Sequence, residues 1–425
     1  MKLNLALGTL AGANLVLSLI IQWYVVTRLG VGAATDALFA GMAVPQLVLA
    51  VVSGSLMHVL VPLLSGEDAG AFGETAWGFF LGITLLFAVI AGVLYLAAPL
   101  WVAWLLPGFS PSLRSLTALL TRIQLVGMVF TASLSVLWSA YHARNRFIWA
   151  ELSPAVASVL VLAALVPALP RFGVVAAAWA NVARNALPVF LLLPGLGRWH
   201  APRWGSPAMK AAWQRLRPLL AGTAYYKTDP LVDRFLSSMA PAGGLSVLYI
   251  GQQIWGAASQ IVNKAIAAPM VPLLAVCAKK GDWSGFQAAY RRRLFWMAVL
   301  TGGGFILFLA AGERVLRLLI GHGGVTARNV EDIWRIMVGL AGFLIAGSVG
   351  QITSSAFYAF GDTRTTTRLG IVTYTIYIPA KVLAFFSFGL MGVAVATSLF
   401  VAVNVMLQMA LIGPAQRRAG GTPLL

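Results

Sequence analysis

Apolar runs of about 20 residues, separated by short polar and basic connections, recur along the whole chain, and none shows the alternating ten-residue pattern of a membrane barrel. At about 1.5 Å per residue, each run spans a hydrocarbon core of roughly 30 Å as a helix. The pattern predicts twelve spans, at 5–26, 37–64, 76–98, 117–141, 154–169, 174–193, 218–239, 247–275, 294–311, 334–358, 370–388 and 392–412. The expected fold class is therefore all-α, a polytopic membrane protein. The first run follows Lys2 and is longer than the apolar part of a cleaved signal, so it is read as a spanning helix.

The seventh span departs from this pattern. It carries Lys227, Asp229, Asp233 and Arg234 in the stretch YYKTDPLVDRF. A charge facing lipid at mid-bilayer costs about 2.5 to 3.5 kcal/mol, so these side chains are expected to face protein or a water-filled cavity. Lys227 and Arg234 are seven residues apart and share a helical stripe, with Tyr226, Pro230 and Asp233 on the adjacent one. Pro230 is expected to kink the helix. Two readings remain open for the four charges, a self-neutralising structural cluster or the wall of a transport cavity. Gln252, Gln253, Asn263 and Lys264 in span 8 and Asp36 at the head of span 2 extend the candidate polar surface, with Asp36 equally readable as a helix cap. Arg184 and Lys381 are also deep cations, whereas Arg122 and Arg335 fall near span ends and are expected to snorkel.

An internal repeat organises the chain. At an offset of 210 without gaps, Leu10-Ala11-Gly12 matches Leu220-Ala221-Gly222, Ala37-Leu38-Phe39 parallels Val247-Leu248-Tyr249, Gly41 matches Gly251, and Val61-Pro62-Leu63-Leu64 matches Val271-Pro272-Leu273-Leu274. Gly173-Val174 with Asn185 is echoed by Gly392-Val393 with Asn404. The expected organisation is an N-terminal six-helix lobe (1–196), a basic cytoplasmic linker (197–217) and a C-terminal six-helix lobe (218–425). The lobes are expected to be pseudo-symmetric about a central cavity.

Composition agrees with a membrane protein: 60% of the 425 residues are hydrophobic, 10% are charged and mean hydropathy is +0.85. The formal charge of +18 is read as orientation and contact with anionic lipid, and nucleic acid is not an expected partner. Connections after spans 4, 6, 8 and 10 carry most of the Lys and Arg residues, among them Arg144, Arg146, Lys279, Lys280, Arg364 and Arg368, whereas the opposite connections carry only Arg28, Arg114, Arg171, Arg314, Arg317 and Arg328. Both termini are thus expected in the cytoplasm, in a bacterial inner membrane. The single Cys277 excludes a disulfide framework, and His58, His142, His200 and His322 lack metal-ligand spacing, so neither metal nor cofactor is expected beyond a coupling ion of unknown identity. No nucleophile, base and orienting group stand at catalytic spacing, and an enzyme is not expected.

Four segments carry a family resemblance: GAATDALFAGMAVPQLVLAVVSGSLMHVLVPLLS (32–65), VDRFLSSMAPAGGLSVLYIGQQI (232–254), MVPLLA (270–275) and FYAFGDTRT (357–365). Together the chain resembles the MurJ/MviN family, the lipid II flippase branch of the multidrug/oligosaccharidyl-lipid/polysaccharide exporter superfamily. The resemblance implies a flippase that carries a polyprenyl-diphosphate-linked glycan, either lipid II or an exopolysaccharide unit, to the periplasmic leaflet. It also implies cavity-facing arginines where this chain has Val16, Gln22, Leu49, Ala50 and Gln253, and two further helices beyond the twelve. Asp36, Asp233 and Arg234 match the family pattern. Lacking a phosphate-binding glycine loop, the chain is expected to draw on a membrane potential or ion gradient. The expected translocation surface is Asp36, Lys227, Asp229, Asp233, Arg234, Gln253, Asn263 and Lys264. A drug or metabolite exporter of the same superfamily, or a non-transporting scaffold of a polysaccharide assembly complex, are the alternatives.

Overall fold

The computed structural model describes residues 2–65, 69–201, 210, 214, 225–267 and 270–418. These form thirteen α-helices and no strand: α1 (Lys2–Leu29), α2 (Ala33–Gly41), α3 (Ala43–Ser65), α4 (Ala69–Leu105), α5 (Pro111–Ala143), α6 (Phe147–Leu192), α7 (Asp229–Ser238), α8 (Gly244–Ile266), α9 (Met270–Lys280), α10 (Trp283–Ile320), α11 (Ala327–Gly339), α12 (Ala341–Ala359) and α13 (Thr363–Arg418). Short 3-10 turns lie at Leu193–Leu196 and Tyr226–Thr228. Most of the predicted 197–217 linker lies outside the described residues, as do residues 218–224 of the seventh span and the Leu220-Ala221-Gly222 match.

Local chemistry fixes the helix starts. Ser110 caps α5, its Oγ accepting from Leu113 N at 3.3 Å, and Pro111 follows in the first turn, where its missing N–H is harmless. Asp282 caps α10 by accepting from Gly285 N at 2.9 Å. Thr326 and Asn329 form a reciprocal capping box at the start of α11.

Seven segments, α1, α4, α5, α6, α10, α13 and Ala33–Val51 across α2 and α3, are long and apolar enough to cross a bilayer, and the bent pairs α8–α9 and α11–α12 bring the number to nine. Two of the seven contain a pair of predicted spans each. As a continuous helix, α6 with its 46 residues would run about 70 Å, more than twice a hydrocarbon core. It breaks at Gly173 (φ 55, ψ −138), and the 56-residue α13 breaks at Gly389 (φ 60, ψ −142). Only glycine enters that region without a Cβ penalty. Counting the two halves of α6 and of α13 separately, eleven of the twelve predicted spans are matched; of span 7 the described residues show only the 3-10 turn and α7, and its first part lies outside them. The protein is an all-α polytopic membrane protein.

Several boundaries differ from expectation for clear reasons. Span 2 is divided at Met42 into α2 and α3, span 8 stops at Ile266 before α9 begins, and span 10 bends by 43° at Leu340. Pro230 opens α7 in its first turn instead of kinking a helix, because the preceding residues form a 3-10 turn. The break in α13 falls at Phe388-Gly389, three residues before the expected Gly392-Val393 echo.

The described residues fall into two compact units, residues 1–245 with 323–325, and residues 246–322 with 326–425. The described part of span 7 clusters with the first. In the first unit, α5 is the central helix, packed by α2, α3, α4 and α6; its core includes Leu56, Leu60, Leu64, Phe72 and Leu137. In the second unit, α12 takes that place against α9, α10 and α13, with Met270, Leu274, Phe286, Ile352 and Phe357 buried around it.

The repeat is visible inside each unit. Leu60 and Leu64 are buried in one core, and Met270 and Leu274, at the same offset of 210, are buried in the other. Gly41 lies so close to α5 that a Cβ would meet Thr121 N at 3.1 Å; a Cβ on Gly251 would meet Met337 Cγ of α11 at 3.3 Å. Thr121 and Met337 are separated by the same interval as the breaks at Gly173 and Gly389. The two units thus share close-packing points and helix breaks, as duplication of one plan requires. Large apolar side chains such as Leu96, Leu100, Trp104, Leu307 and Leu318 face outward on α4 and α10, the arrangement a lipid solvent favours.

Candidate functional site

In the first unit the predicted charges gather around α7, which packs on α3 and α4. Asp233 and Arg234 are 2% and 3% exposed, so the sequence expectation that they avoid lipid holds. Asp229 is half-buried in the first turn of α7, where a carboxylate meets the positive end of the helix. Lys227 does not share a helical stripe with Arg234. It sits in the 3-10 turn, and its Nζ donates to the carbonyl of Ala50 on α3. A cation is thereby held at the backbone of a position where the family resemblance implied an arginine.

Asp36 is buried, at 3% exposed. It does not cap its own helix, whose N-cap is Gly32. Its Oδ2 accepts from Gly243 N at 2.6 Å, so it caps the turn that leads from α7 into α8. A carboxylate there is favoured both by the charge-assisted hydrogen bond and by the helix dipole.

The second unit holds a separate polar set. Gln253 is half-buried on α8, and Asn263 Nδ2 donates to Ser259 Oγ at 3.1 Å, which in turn bonds Ser348 Oγ at 2.9 Å. Lys264 is exposed: α8 ends at Ile266, so the lysine falls in its last turn, where the helix dipole favours a cation. Lys381 is fully buried in this unit, its Nζ 4.9 Å from the Tyr377 ring centre. Arg335, expected to snorkel, pairs with Glu331 at 2.5 Å along α11. Arg122 donates to Tyr95 O at 3.2 Å and lies over that ring.

A further polar feature lies within the first unit, between the α2–α3 break, α5 and α6. It is a cavity of about 150 Å3 lined by Gln46, Gln124, Thr131, Asn181, Arg184 and Asn185 together with Met42, Pro45, Leu49, Gly127 and Met128. Arg184 Nη1 donates to Ser18 Oγ at 2.5 Å, and Asn185 Nδ2 to Asn181 O at 3.0 Å. Sequence reading singled out Arg184 and Asn185 but not Gln124, Thr131 or Asn181. The available signal was spacing: Asn181 and Asn185 are one turn apart, and Gln124 and Thr131 two turns apart, inside otherwise apolar spans. Among the described residues no group of three or more His, Cys, Asp or Glu side chains stands at metal-binding geometry.

The family model described as "Lipid II flippase MurJ" matches residues 25–422. The chain is similar to the probable lipid II flippase MurJ of Vibrio cholerae serotype O1, with 22% identity over 433 residues, covering 96% of this chain and 82% of the relative. It is also similar to that of Bdellovibrio bacteriovorus, with 24% identity over 400 residues, covering 89% and 76%. Among solved structures, a lipid II flippase MurJ in the inward closed conformation superposes with a TM-score of 0.79 at 16% identity, covering 96% of this chain and 86% of that one. An inward-facing multidrug resistance MATE family transporter superposes at 0.75 with 14% identity, covering 97% and 94%. These two likenesses establish a common fold, and the sequence match carries the family: the chain belongs to the MurJ family.

Proposed function

We propose that this protein is a secondary-transport flippase that moves a polyprenyl-diphosphate-linked glycan precursor, lipid II or an exopolysaccharide unit, from the cytoplasmic to the periplasmic leaflet of a bacterial inner membrane. The observation that carries this reading is the family match across residues 25–422. Two units built on one plan support alternating access as the mechanism. Lys227 and Arg234 attract the anionic headgroup, and Asp233 or Asp229 changes protonation or ion occupancy to reset the transporter. Asp36 serves this machinery by fixing the turn before α8. Gln253, Asn263 and Lys264 are the polar set of the second unit in the same reading. Both termini are placed in the cytoplasm, where basic connections contact anionic lipid, and the protein is a transporter, not a catalyst.

Expression in a strain depleted of its own lipid II flippase tests the reading. Restored growth is the expected result if lipid II is the cargo. If an exopolysaccharide unit is the cargo, deletion in the native host strands lipid-linked glycan on the inner leaflet. Neither rescue nor stranded glycan, with drug-driven ion flux in proteoliposomes, contradicts the flippase and identifies an exporter.

A further inference from the structure

Each unit carries an apolar groove that the transport reading does not use, and the two grooves are built alike. In the first unit a groove of about 470 Å3 lies between the halves of α6, on either side of the break at Gly173. In the second, one of about 630 Å3 lies between the halves of α13, on either side of Gly389. Ala164, Phe172 and Ala180 of the first stand 216 residues before Ala380, Phe388 and Ala396 of the second, the interval that also separates the two glycines. Phe172 and Phe388 are well exposed, and no lining residue of either groove is charged. From Val161 to Phe172 the helix rises about 17 Å, close to the roughly 15 Å of hydrocarbon in one leaflet. The rims differ. Exposed Arg171 adjoins Phe172 in the first, whereas Ser387 holds the equivalent position in the second. Exposed Arg28 reaches the same level as Arg171. Asn14 Nδ2 donates to Glu151 O and Tyr24 Oη to Val166 O, so α1 and the first half of α6 run in the same direction. Arg28 and Arg171 follow Tyr24 and Val166 by about one turn each.

We infer that the groove of the first unit is a site for an anionic glycerophospholipid of the bilayer, one acyl chain lying along α6 and the headgroup held at Arg171 with Arg28 at its level. Charge complementarity selects this occupant: the rim is cationic, the groove below it is wholly apolar, and its depth is that of one leaflet. The groove of the second unit has the same apolar walls without the arginine, so it takes an acyl chain with no preference for headgroup charge. A polyprenyl tail is disfavoured because it is far longer than the groove is deep. A second copy of the chain is disfavoured because a two-fold contact centred on the groove would set Arg171 against its own copy. The inference goes beyond the flippase reading and does not depend on it, since binding is measured on the isolated protein.

The test is native mass spectrometry of the purified full chain in detergent, titrated with phosphatidylglycerol and, separately, with phosphatidylcholine of the same acyl chains. The wild type is expected to hold one phosphatidylglycerol about 5-fold or more tightly than phosphatidylcholine. Arg171→Ser, which copies the rim of the second groove, is expected to abolish the preference. Ala164→Phe, which fills the groove from an exposed position, is expected to remove the preferred lipid. Ser387→Arg is expected to add a second preferred phosphatidylglycerol. Thermal midpoints without added lipid check that each variant folds, and should Ala164→Phe fail, the loss in Arg171→Ser and the gain in Ser387→Arg decide. Equal affinity of the wild type for the two lipids, or an unchanged preference in Arg171→Ser, overturns the inference. Displacement of phosphatidylglycerol by an equimolar polyprenyl phosphate overturns it in favour of a prenyl tail. A dimer that Ala164→Phe dissociates, with the lipid preference unchanged, overturns it in favour of a second copy.

Discussion

Asp36 shows how a buried acid in a membrane protein is made tolerable. Its carboxylate accepts from the Gly243 amide, 207 residues away in sequence, and so pins the turn between α7 and α8. Asp36→Ala leaves that buried N–H without its acceptor, at a cost of about 1 to 3 kcal/mol. The thermal midpoint in detergent is expected to fall, whereas Asp36→Asn, which keeps an acceptor oxygen, is expected to fall less. Equal midpoints for Asp36→Ala and wild type would contradict the assignment. That Asp233 and Arg234 are buried was legible from charge in an apolar span, since lipid exposure is so costly. The partner of Asp36 was not, because nothing in a sequence pairs a carboxylate with one particular backbone amide. Gln124 and Asn181 were invisible for a related reason: neutral polar residues are common in spans, and their convergence on one cavity is a property of three helices together.

Helix ends and breaks carry the element-scale information. Gly173 and Gly389 sit at φ 55 and 60, and a Cβ added at either would meet nothing within 4 Å. Alanine at each is therefore expected to cost backbone strain alone, about 1 to 3 kcal/mol, and by similar amounts. Gly12→Ala, within α1, where there is likewise open space but no unusual φ, serves as the control and should not lower the midpoint. Unequal effects at Gly173 and Gly389 would weaken the case for one duplicated device.

The Asp282 cap gives a pH prediction. The Gly285 N–H and then the Ser284 hydroxyl hold its carboxyl below the ordinary carboxylate value of 3.8. A depressed folded-state value means that the contribution is fully present above 3.8 and is lost as pH falls through the lower folded value. The difference in thermal midpoint between wild type and Asp282→Ala is expected to persist at pH 6 and to shrink as pH falls below 3.8. At this scale the apolar runs located the helices well. Pro230 was misjudged because its effect depends on the backbone before it: proline breaks a helix interior but starts a helix readily. The break at Leu340 lies in unbroken apolar sequence and leaves no periodic signature, whereas Gly41 and Pro45 flank the one at Met42.

At the scale of the whole chain, the repeat was the strongest legible feature, because matched residues bear the same burdens in both halves. Leu64 and Leu274 each fill a core, and Gly41 and Gly251 each admit a close neighbouring helix of their own unit, α5 and α11. The break at Gly389 falls three residues, nearly a turn, before the expected match at Gly392, without changing the plan. The family segments 32–65 and 232–254 contain Asp36, Asp233 and Arg234, and all three are buried. The end of α8, which puts Lys264 in its last turn, could not be read from the apolar flank.

The central claim is that buried charges around α7 serve the passage of a lipid-linked anionic glycan. The most direct measurement is leaflet transfer of a labelled polyprenyl-diphosphate glycan in proteoliposomes under an imposed ion gradient, for wild type, Asp233→Asn and Arg234→Gln at equal levels of folded protein. The account predicts transfer by the wild type and a loss of about 10-fold or more in each variant. Transfer by both variants at the wild-type rate would contradict it.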